Sequence, residues 1–378
     1  YKDGLDLQHN GMKFNIEMSF NKDTLKKKLQ TICADYEIKA KNASLEATGH
    51  GFKIIKEKEG VTVDYDKTVE QLYTYVTEKW NKKANIKLTA TTTVSKPKYT
   101  TEDCEKVSNE PMGSYTTEFS VGSSYANRNL NIQNGAKLIN GAVVYPGEQY
   151  SCNENLYPWT EDNGWHPAGT YVDGGVQDSL GGGICQVSST LYNALLRAEI
   201  KVVKRFPHSM AVGYVPLSAD AALAGDYKDL VFENDTDAPI YVQGIYNSGG
   251  SITFNIYGHD TRKAGHSVKY ESKTIKTTPV KTQTKKDSSK PVGYSEVESS
   301  GHVGYVAELW KITYENGKQV SKELIHTSTY AMSPTIVVKG TKKASTTTKK
   351  DDSDKDGKKS NEETTKKSTS SKKSKKSE

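Results

Sequence analysis

The sequence has no apolar run of 18 or more residues, few cysteines and no cluster of metal-binding residue types. The missing apolar run excludes a membrane-embedded body, because a helix needs about 20 consecutive apolar residues to cross a bilayer. The four cysteines show neither a CxxC pair nor Cys/His spacing, which argues against a zinc site and against a disulfide framework. We therefore expect no metal and no cofactor.

The net positive charge is confined to the C-terminal end. The formal net charge is +6, but residues 341–378 alone contain 13 lysines against 7 acidic residues, so the rest of the chain is neutral. Nucleic-acid binding needs a basic patch on a folded face, and we expect no nucleic-acid partner. The Lys, Ser and Thr of the tail cannot bury enough surface to offset the entropy of ordering, which predicts disorder over 342–378.

The pattern of apolar residues predicts a multidomain α+β protein, and 378 residues correspond to roughly two to three domains. An α+β domain is predicted over 1–112. Its predicted elements are a strand over 12–20, a helix from Asn21 to Cys33, a strand pair over 52–66 with a turn near Gly60, a helix from Lys67 to about Trp80, and a strand over 84–100.

The rest of the chain divides into three predicted regions. Residues 113–262 form an α+β domain that holds nearly all the residues suited to chemistry, 263–341 form a small β-rich module, and 342–378 form the tail. Within the module, 271–295 is either a linker or an edge strand, and Glu-Asn-Gly-Lys at 315–318 is a strong hairpin turn signal. The chain opens with Tyr1 rather than Met, which we interpret as a processed product that has lost a signal or membrane anchor.

A glycine-rich turn followed by a helix presents one cysteine as a nucleophile. After Gly181–Gly183, apolar residues from Val187 to Ala198 recur with helical spacing, so a helix begins at or just after Cys185. The positive end of a helix stabilises a thiolate and lowers the thiol pKa from about 8.5. The glycines also let the backbone approach a substrate and place N–H groups near a developing oxyanion. A phosphate-cradling loop fits less well, because the characteristic lysine is missing. The remaining alternative is a tight turn with a buried, inert cysteine.

A nucleophilic cysteine needs a base, and His208 is the best placed of the histidines. It follows a strand-like run directly after the Cys185 helix, and another strand-like run, MAVGYV, comes next. Either Asp220 or Asp229 is within reach as the group that orients the imidazole. We assign Asp229, since it enters the alternating strand DLVFEN, whereas Asp220 is more easily interpreted as a turn residue.

Upstream residues suggest how a substrate could be held. Residues 120–131 lead into a short amphipathic helix, and Arg128 in this stretch could bind a carboxylate, with a solvated or helix-pairing role as the alternative. Trp159, Trp165 and Tyr171 lie in a Gly-rich loop, where they wall a cleft or simply anchor the loop.

These segments together resemble the VanW domain of Gram-positive cell-wall proteins. The resemblance runs from about Phe119 to Gly258 and is carried by ANRNLNI, INGAVVYPGEQYS, GGGICQVSSTLYNALL, RFPHS, YVPLSADA and DLVFENDTDAPIYV. The first hundred residues look like a peptidoglycan-binding domain, and the C-terminal β-rich piece is similar to the small module named for its five glycines. Cys152 stands where the family usually has an aromatic residue and Ser218 where it commonly has glycine, and we expect neither departure to touch the chemistry.

The resemblance implies an L,D-transpeptidase of peptidoglycan outside the YkuD type, whose HGC signature is absent. Cys185 would be the nucleophile and His208 the base, forming a thioester with a donor tetrapeptide stem that the side-chain amine of a second diaminopimelate resolves into a 3-3 cross-link. The implied location is extracytoplasmic, at the cell wall or the outer face of a membrane to which a removed N-terminal segment tethered the chain. The residues assigned to the oxyanion and the substrate are Gly182, Gly183, Gln186, Ser188, Arg128 and Ser209.

Two alternatives stay open on the sequence. Water could resolve the same thioester, which would make the protein a carboxypeptidase or endopeptidase. The protein could instead be a non-catalytic, wall-binding accessory factor in which the glycine-cysteine motif is structural.

Overall fold

A computed structural model of the chain describes residues 20–48, 51–80, 87–172, 175–225 and 227–343. The predicted strand over 12–20 and the predicted tail over 342–378 lie almost entirely outside these residues. Helices and strands are mixed throughout, so the prediction of a multidomain α+β protein is confirmed. Within the described ranges, every helix is too short or too polar to cross a membrane.

The N-terminal region alternates short helices and strands. The helix predicted from Asn21 is present, because the Asn21 side chain caps it by accepting the Thr24 N–H over 2.9 Å. The elements are α1 (Lys22–Cys33), β1 (Ser44–Thr48), β2 (Gly51–Ile55), β3 (Gly60–Val63), α2 (Tyr65–Thr74), β4 (Thr92–Ser95) and α3 (Thr101–Glu105).

The strand pairing in this region differs from the prediction. β2 pairs with β1 and β3 pairs with β4, so β2 and β3 do not form a hairpin around Gly60. Gly60 is the first residue of β3, and an added Cβ would lie 2.4 Å from the Ala40 backbone nitrogen. Gly60 therefore serves a close backbone approach rather than a turn. Alternation identified the strands but could not identify their partners, because pairing depends on distant segments.

The central region builds an antiparallel sheet with helices packed on it. The sheet has the order β5-β13-β12-β6, a smaller sheet has the order β10-β11-β7, and β8 pairs with β9. The elements are β5 (Gly113–Glu118), α4 (Ala126–Ile139), β6 (Ala142–Val144), β7 (Gln149–Ser151), α5 (Cys152–Leu156), β8 (Pro167–Val172), β9 (Gly175–Leu180), α6 (Ile184–Arg197), β10 (Lys201–Lys204), β11 (Val231–Glu233), β12 (Ile240–Asn247) and β13 (Ser251–Tyr257).

Helix α6 is the centre of the core and is buried on nearly every side. Its apolar stripe, which includes the fully buried Val187, Leu191 and Leu195, packs in one cluster with residues of α4, β12 and β13. Each such side chain contributes roughly 1.5–3 kcal/mol of burial free energy. The helix that carries Cys185 is therefore rigidly held by the fold.

The polar face of α6 is buried as well, and it binds an irregular segment. Ser188 donates to the Ala221 carbonyl over 2.7 Å and Asn193 donates to the Ala219 carbonyl over 2.7 Å. These bonds satisfy polar groups that burial would otherwise make costly. The segment from 205 to 225 consequently follows the helix surface, and the strand predicted over 210–215 is absent.

The C-terminal region is entirely β. Its sheets have the orders β14-β17-β18 and β15-β19-β16. The predicted hairpin turn joins β17 to β18, with positive φ at Asn316 and Gly317. Residues 271–295 form strands rather than a linker. The strands are β14 (His266–Thr278), β15 (Thr282–Pro291), β16 (Ser295–Ser299), β17 (Gly304–Glu315), β18 (Lys318–Tyr330) and β19 (Thr335–Lys342).

Two compact units account for the described residues. The first comprises the described residues up to 283 and 297–337, and it contains the sheet β14-β17-β18 together with the described elements N-terminal to it. The second comprises residues 284–296 and 338–343, and within it Val292 and Gly340 donate to the carbonyls of Lys342 and Tyr294, each over 3.0 Å. All the residues discussed below belong to the first unit.

Candidate active site

Cys185 lies in the first turn of α6, which begins one residue earlier at Ile184. The preceding Gly183 has a φ of +108°, and an added Cβ there would lie 3.0 Å from the Arg128 carbonyl oxygen. The half-buried thiol faces the irregular segment, where the Leu223 N–H donates to Sγ over 3.4 Å. The sulfur therefore lies at the positive end of a helix and also accepts an N–H from outside that helix.

The pKa of Cys185 is lowered from its ordinary value. Burial raises it, but hydrogen bonding to His208, the charge on that imidazole and the backbone of Leu223 outweigh the burial. The pKa of His208 shifts the opposite way: burial lowers it, yet hydrogen bonds to Asp220 and Cys185 raise it to about 9. Both shifts favour a coupled thiolate–imidazolium pair, the nucleophilic form of a cysteine.

Asp220 holds the imidazole in place. Its Oδ2 lies 2.6 Å from His208 Nδ1 and also accepts the His208 backbone N–H over 2.7 Å. Since the carboxylate faces Nδ1, that nitrogen carries a proton and Nε2 is left to exchange one with the thiol. Asp220 is fully buried, and His208 is 9% exposed.

Two further side chains fix the buried carboxylate. Arg205 Nη2 donates to Asp220 Oδ1 over 2.6 Å, and Tyr330 Oη donates to the same oxygen over 2.5 Å. Although burial raises the pKa of Asp220, these partners and His208 hold it well below its usual range. Asp220 is therefore an ionised carboxylate that lies between two cations, the Arg205 guanidinium and the His208 imidazolium.

The structure does not bring Asp229, our sequence-based choice, to His208. Its carboxylate accepts the hydroxyl of Ser151, the N-cap residue of α5, over 2.6 Å and the backbone N–H of Asn153, in the first turn of α5, over 3.0 Å. Asp220 takes the place beside the imidazole instead. The available signal was composition: Asp220 stands among alanines, and an acid in a buried alanine-rich segment requires a buried partner.

The glycine turn serves close packing as much as it offers N–H donors. The N–H groups of Gly181 and Gly182 donate to the carbonyls of His166 and Ser179 over 3.3 and 3.4 Å. An added Cβ on Gly182 would lie 2.4 Å from the Ala168 carbonyl oxygen. In the part of the chain that the structure describes, the Cys185 N–H has no acceptor. That N–H is therefore open to an acceptor from a substrate, whereas the N–H groups of Gly181 and Gly182 are already bonded.

The other residues predicted to bind substrate differ in burial and in hydrogen-bond partners. Arg128 donates to Gln186 Oε1 over 2.6 Å, and the Gln186 amide donates in turn to Thr117, so Gln186 orients Arg128 beside the start of α6. Ser188 is buried and bonded to backbone carbonyls. Ser209 is exposed, and its carbonyl accepts the Ala331 N–H over 2.7 Å.

Tyr214 adjoins the site and was missed by sequence reasoning, which assigned it to a strand. Its hydroxyl lies 3.4 Å from His208 Nε2, and its ring meets the imidazole edge-on at 6.4 Å. Burial raises the pKa of Tyr214, and the nearby Cys185 raises it further. Tyr214 is thus a neutral hydroxyl beside the reactive pair.

The two departures from the family pattern have different surroundings. Cys152 is fully buried in the core. Ser218 has a φ of +67°, a conformation that favours glycine. Its N–H donates to Tyr330 Oη over 2.7 Å and its carbonyl accepts from Arg205 over 3.3 Å. Ser218 therefore touches the residues around Asp220, contrary to our expectation.

The predicted aromatic cleft is not formed by Trp165. Its ring is fully buried and its Nε1 donates to the Leu156 carbonyl over 3.2 Å, so it anchors the loop. Trp159 packs partly against the same core, and the Tyr171 side chain lies outside what the structure describes. Among the described residues no group of three or more His, Cys, Asp and Glu could hold a metal ion.

Three family descriptions match the chain. Residues 127–257 match VanW like protein, 269–342 match the G5 domain, and 5–85 match a peptidoglycan binding domain. These matches confirm the resemblance to the VanW family with its two flanking modules, and they support association with the cell wall.

Two curated relatives match over part of their length. The uncharacterized protein YoaR of Bacillus subtilis is 37% identical over 164 residues, which are 43% of this chain and 53% of YoaR. The vancomycin B-type resistance protein VanW of Enterococcus faecalis is 28% identical over 116 residues, 29% of this chain and 42% of that protein. The chain therefore spans about half the length of the curated relatives it matches.

Among solved structures, the G5 domain of an IgA1 protease matches part of this chain. It is 31% identical, and the match covers 22% of this chain and 96% of the domain, with a TM-score of 0.17.

Proposed function

Since residues 127–257 belong to the VanW family, we propose that this protein is a peptidoglycan L,D-transpeptidase that acts through a thioester on Cys185. The observation that carries the proposal is the Cys185–His208–Asp220 arrangement, with 2.6 Å between His208 Nδ1 and Asp220 Oδ2. A cysteine, a base and a group that orients the base are the parts that nucleophilic acyl transfer requires.

Acylation begins with the thiolate. Sγ of Cys185 attacks the carbonyl carbon at the L-centre of diaminopimelate in a donor tetrapeptide stem. The carbonyl oxygen becomes an oxyanion, which accepts the Cys185 N–H. When the C–N bond to D-Ala breaks, the imidazolium of His208 donates its Nε2 proton to the leaving nitrogen. D-Ala departs as an amine, and a thioester remains on Sγ.

Deacylation uses the same groups in reverse. The neutral side-chain amine of a second diaminopimelate attacks the thioester carbon, and His208 Nε2 takes the proton that the nitrogen loses. The C–S bond breaks and restores the thiolate beside the imidazolium. The product is a 3-3 cross-link between two stems.

The surroundings of the site suit an anionic peptide. Arg128, oriented by Gln186, places a positive charge near the N-terminus of α6. A stem-peptide carboxylate would pair with this guanidinium. The matches to a peptidoglycan binding domain and to the G5 domain support delivery to the same polymer.

The test is incubation with disaccharide-tetrapeptides followed by mass spectrometry, with Cys185→Ala as the inactive variant. Cys33→Ala is the matched control, because it removes a partly exposed thiol from α1 and leaves the site intact. We expect a cross-linked dimer that has lost one D-Ala in the wild type and the control. Tripeptide without dimer would replace the proposal with a hydrolase. Untouched substrate from folded protein would replace it with a wall-binding accessory role.

A further inference from the structure

Strand β18 of the C-terminal module reaches the candidate active site. Its last residues include Ser328, which is 1% exposed, and Tyr330, which is 3% exposed. Both contact the irregular segment that carries His208 and Asp220, although more than 100 residues separate the two in the sequence. The backbone after β18 also contacts this segment, because the N–H of Ala331 donates to the carbonyl of Ser209, next to His208.

The Tyr330 hydroxyl bridges the backbone of Ser218 and the carboxylate of Asp220. It accepts the Ser218 N–H over 2.7 Å and donates its own proton to Asp220 Oδ1. Both neighbours are fully buried, so water does not replace the hydroxyl without rearrangement. A phenylalanine would leave the Ser218 N–H without this acceptor and Oδ1 without this donor.

Ser328 supports Arg205, the cation that pairs with Asp220 opposite His208. Its hydroxyl accepts from Arg205 Nη1 over 2.8 Å and pairs with the Ser218 hydroxyl over 2.8 Å. Arg205 thereby presents Nη2 to Asp220 Oδ1. His326, also on β18, lies 2.8 Å from the Ser218 carbonyl, and burial together with the charge of Arg205 lowers its pKa to about 4, so it adds no competing cation.

These contacts leave Asp220 one orientation. Oδ1 is bonded to Arg205 and Tyr330, and Oδ2 is bonded to the backbone nitrogen and the ring Nδ1 of His208. A carboxylate bonded in this way cannot rotate without breaking charge-assisted hydrogen bonds. The orientation of Asp220 in turn fixes the tautomer that leaves His208 Nε2 for the thiol.

We infer that Tyr330 is a positioning residue of the candidate active site and that strand β18 completes that site, in addition to any role of the C-terminal region in wall binding. The inference rests on the proposed chemistry of Cys185 and His208. Tyr330 acts through Asp220 and does not touch the reacting atoms. Without its hydroxyl the imidazole is held less firmly, and the thiolate loses part of its stabilisation.

The pH dependence of Cys185 alkylation by iodoacetamide tests the inference on the full chain, located by peptide mass spectrometry. We expect Tyr330→Phe to raise the apparent pKa of the thiol and to slow alkylation at pH 6 by about three- to tenfold, with rates converging above pH 9, because one pKa unit is a tenfold change in thiolate. Ser328→Ala should shift the profile in the same direction by less. Tyr305→Phe is the matched control, since Tyr305 faces Tyr330 across the β17–β18 ladder.

The outcomes separate this inference from the proposed function. A Tyr330→Phe profile that superimposes on the wild type, in protein with an unchanged melting curve, overturns the inference. If Tyr330→Phe melts early, a shifted Ser328→Ala profile sustains the inference and an unshifted one overturns it. A wild-type Cys185 that titrates as an ordinary thiol overturns both proposals. A low thiol pKa that Tyr330→Phe raises, in a protein that leaves tetrapeptides untouched, refutes the transpeptidase and sustains the positioning role.

Discussion

Replacement of Asp220 by asparagine is the most informative perturbation of the site. The carboxylate accepts from His208 Nδ1, the His208 backbone N–H and Arg205 Nη2 over 2.6, 2.7 and 2.6 Å. An amide of the same shape has one acceptor atom instead of two and carries no charge. The Asp220→Asn variant therefore faces at least one of these donors with an N–H, and it leaves a buried guanidinium without its counter-charge.

The structure sets the size of both effects. The Arg205 and Asp220 side chains are 7% and 1% exposed, and breaking a buried ion pair by removing one partner costs about 3–5 kcal/mol of stability. For the chemistry, loss of the carboxylate in a nucleophile–His–Asp triad costs up to about 10⁴ in kcat, because the wrong tautomer is then favoured. We expect kcat/KM for cross-linking to fall by about two to four orders of magnitude at pH 7.

The assay is dimer formation from disaccharide-tetrapeptides at pH 7, run beside chemical denaturation of each variant. Asp229→Asn makes the same chemical change at the carboxylate that bonds to Ser151 and Asn153 at the start of α5. Weakening these hydrogen bonds should cost about 1 kcal/mol of stability and leave kcat/KM within about twofold. Full activity in folded Asp220→Asn, or loss of activity in Asp229→Asn instead, would refute the assignment of the triad.

Three further predictions concern ionisation. The cross-linking rate should rise with pH as the Cys185 thiol deprotonates. It should fall again above about pH 9, where the imidazolium of His208 loses the proton that it gives to D-Ala. A rate that keeps rising past about pH 10 would contradict this assignment. His266 bonds to Glu315 and Glu199, which raise its pKa, so its ion pairs stabilise the fold below about pH 6.5 and fade as pH rises through the raised value. His266→Gln should therefore lower the unfolding free energy more at pH 6 than at pH 9, by up to about 1 kcal/mol, in urea titrations. Burial raises the pKa of Cys104 to about 11, and mass spectrometry after brief iodoacetamide treatment at pH 7 should show Cys185 modified and Cys104 intact.

The buried polar face of α6 explains why the irregular segment from 205 to 225 holds His208 in a defined position. Ser188, Ser189 and Asn193 project from the helix into bonds with the backbone at Ala219 and Ala221. A segment without regular structure must satisfy its backbone groups elsewhere, and here the helix that carries the nucleophile satisfies them. The same contacts hold Ala219 and Ala221, on either side of Asp220, against the helix that carries Cys185, so the thiol and its partners share one rigid support.

Local features of the sequence were sufficient for the elements that depend on near neighbours. The apolar period after the three glycines places the start of α6 at Cys185, because helix periodicity and a glycine cap are properties of adjacent residues. The Asn-Gly pair likewise predicts the β17–β18 hairpin, since both residues tolerate positive φ. His208 as the partner of the cysteine also follows from the short connection between α6 and β10.

Only the tertiary structure decided which carboxylate lies against the His208 imidazole. Asp220 and Asp229 lie 12 and 21 residues after His208, both within reach of it, and the choice depends on Arg205, Ser218 and Tyr330, whose positions local patterning does not encode. The pairing of β2 and β3 with other strands was undetermined for the same reason. The sequence by itself predicted the cysteine at the start of α6 and the histidine that comes after this helix, because those follow from neighbouring residues. The position of Asp220 beside His208 and its contact with Tyr330 required the fold, because a buried charge is placed by partners that can come from any part of the chain.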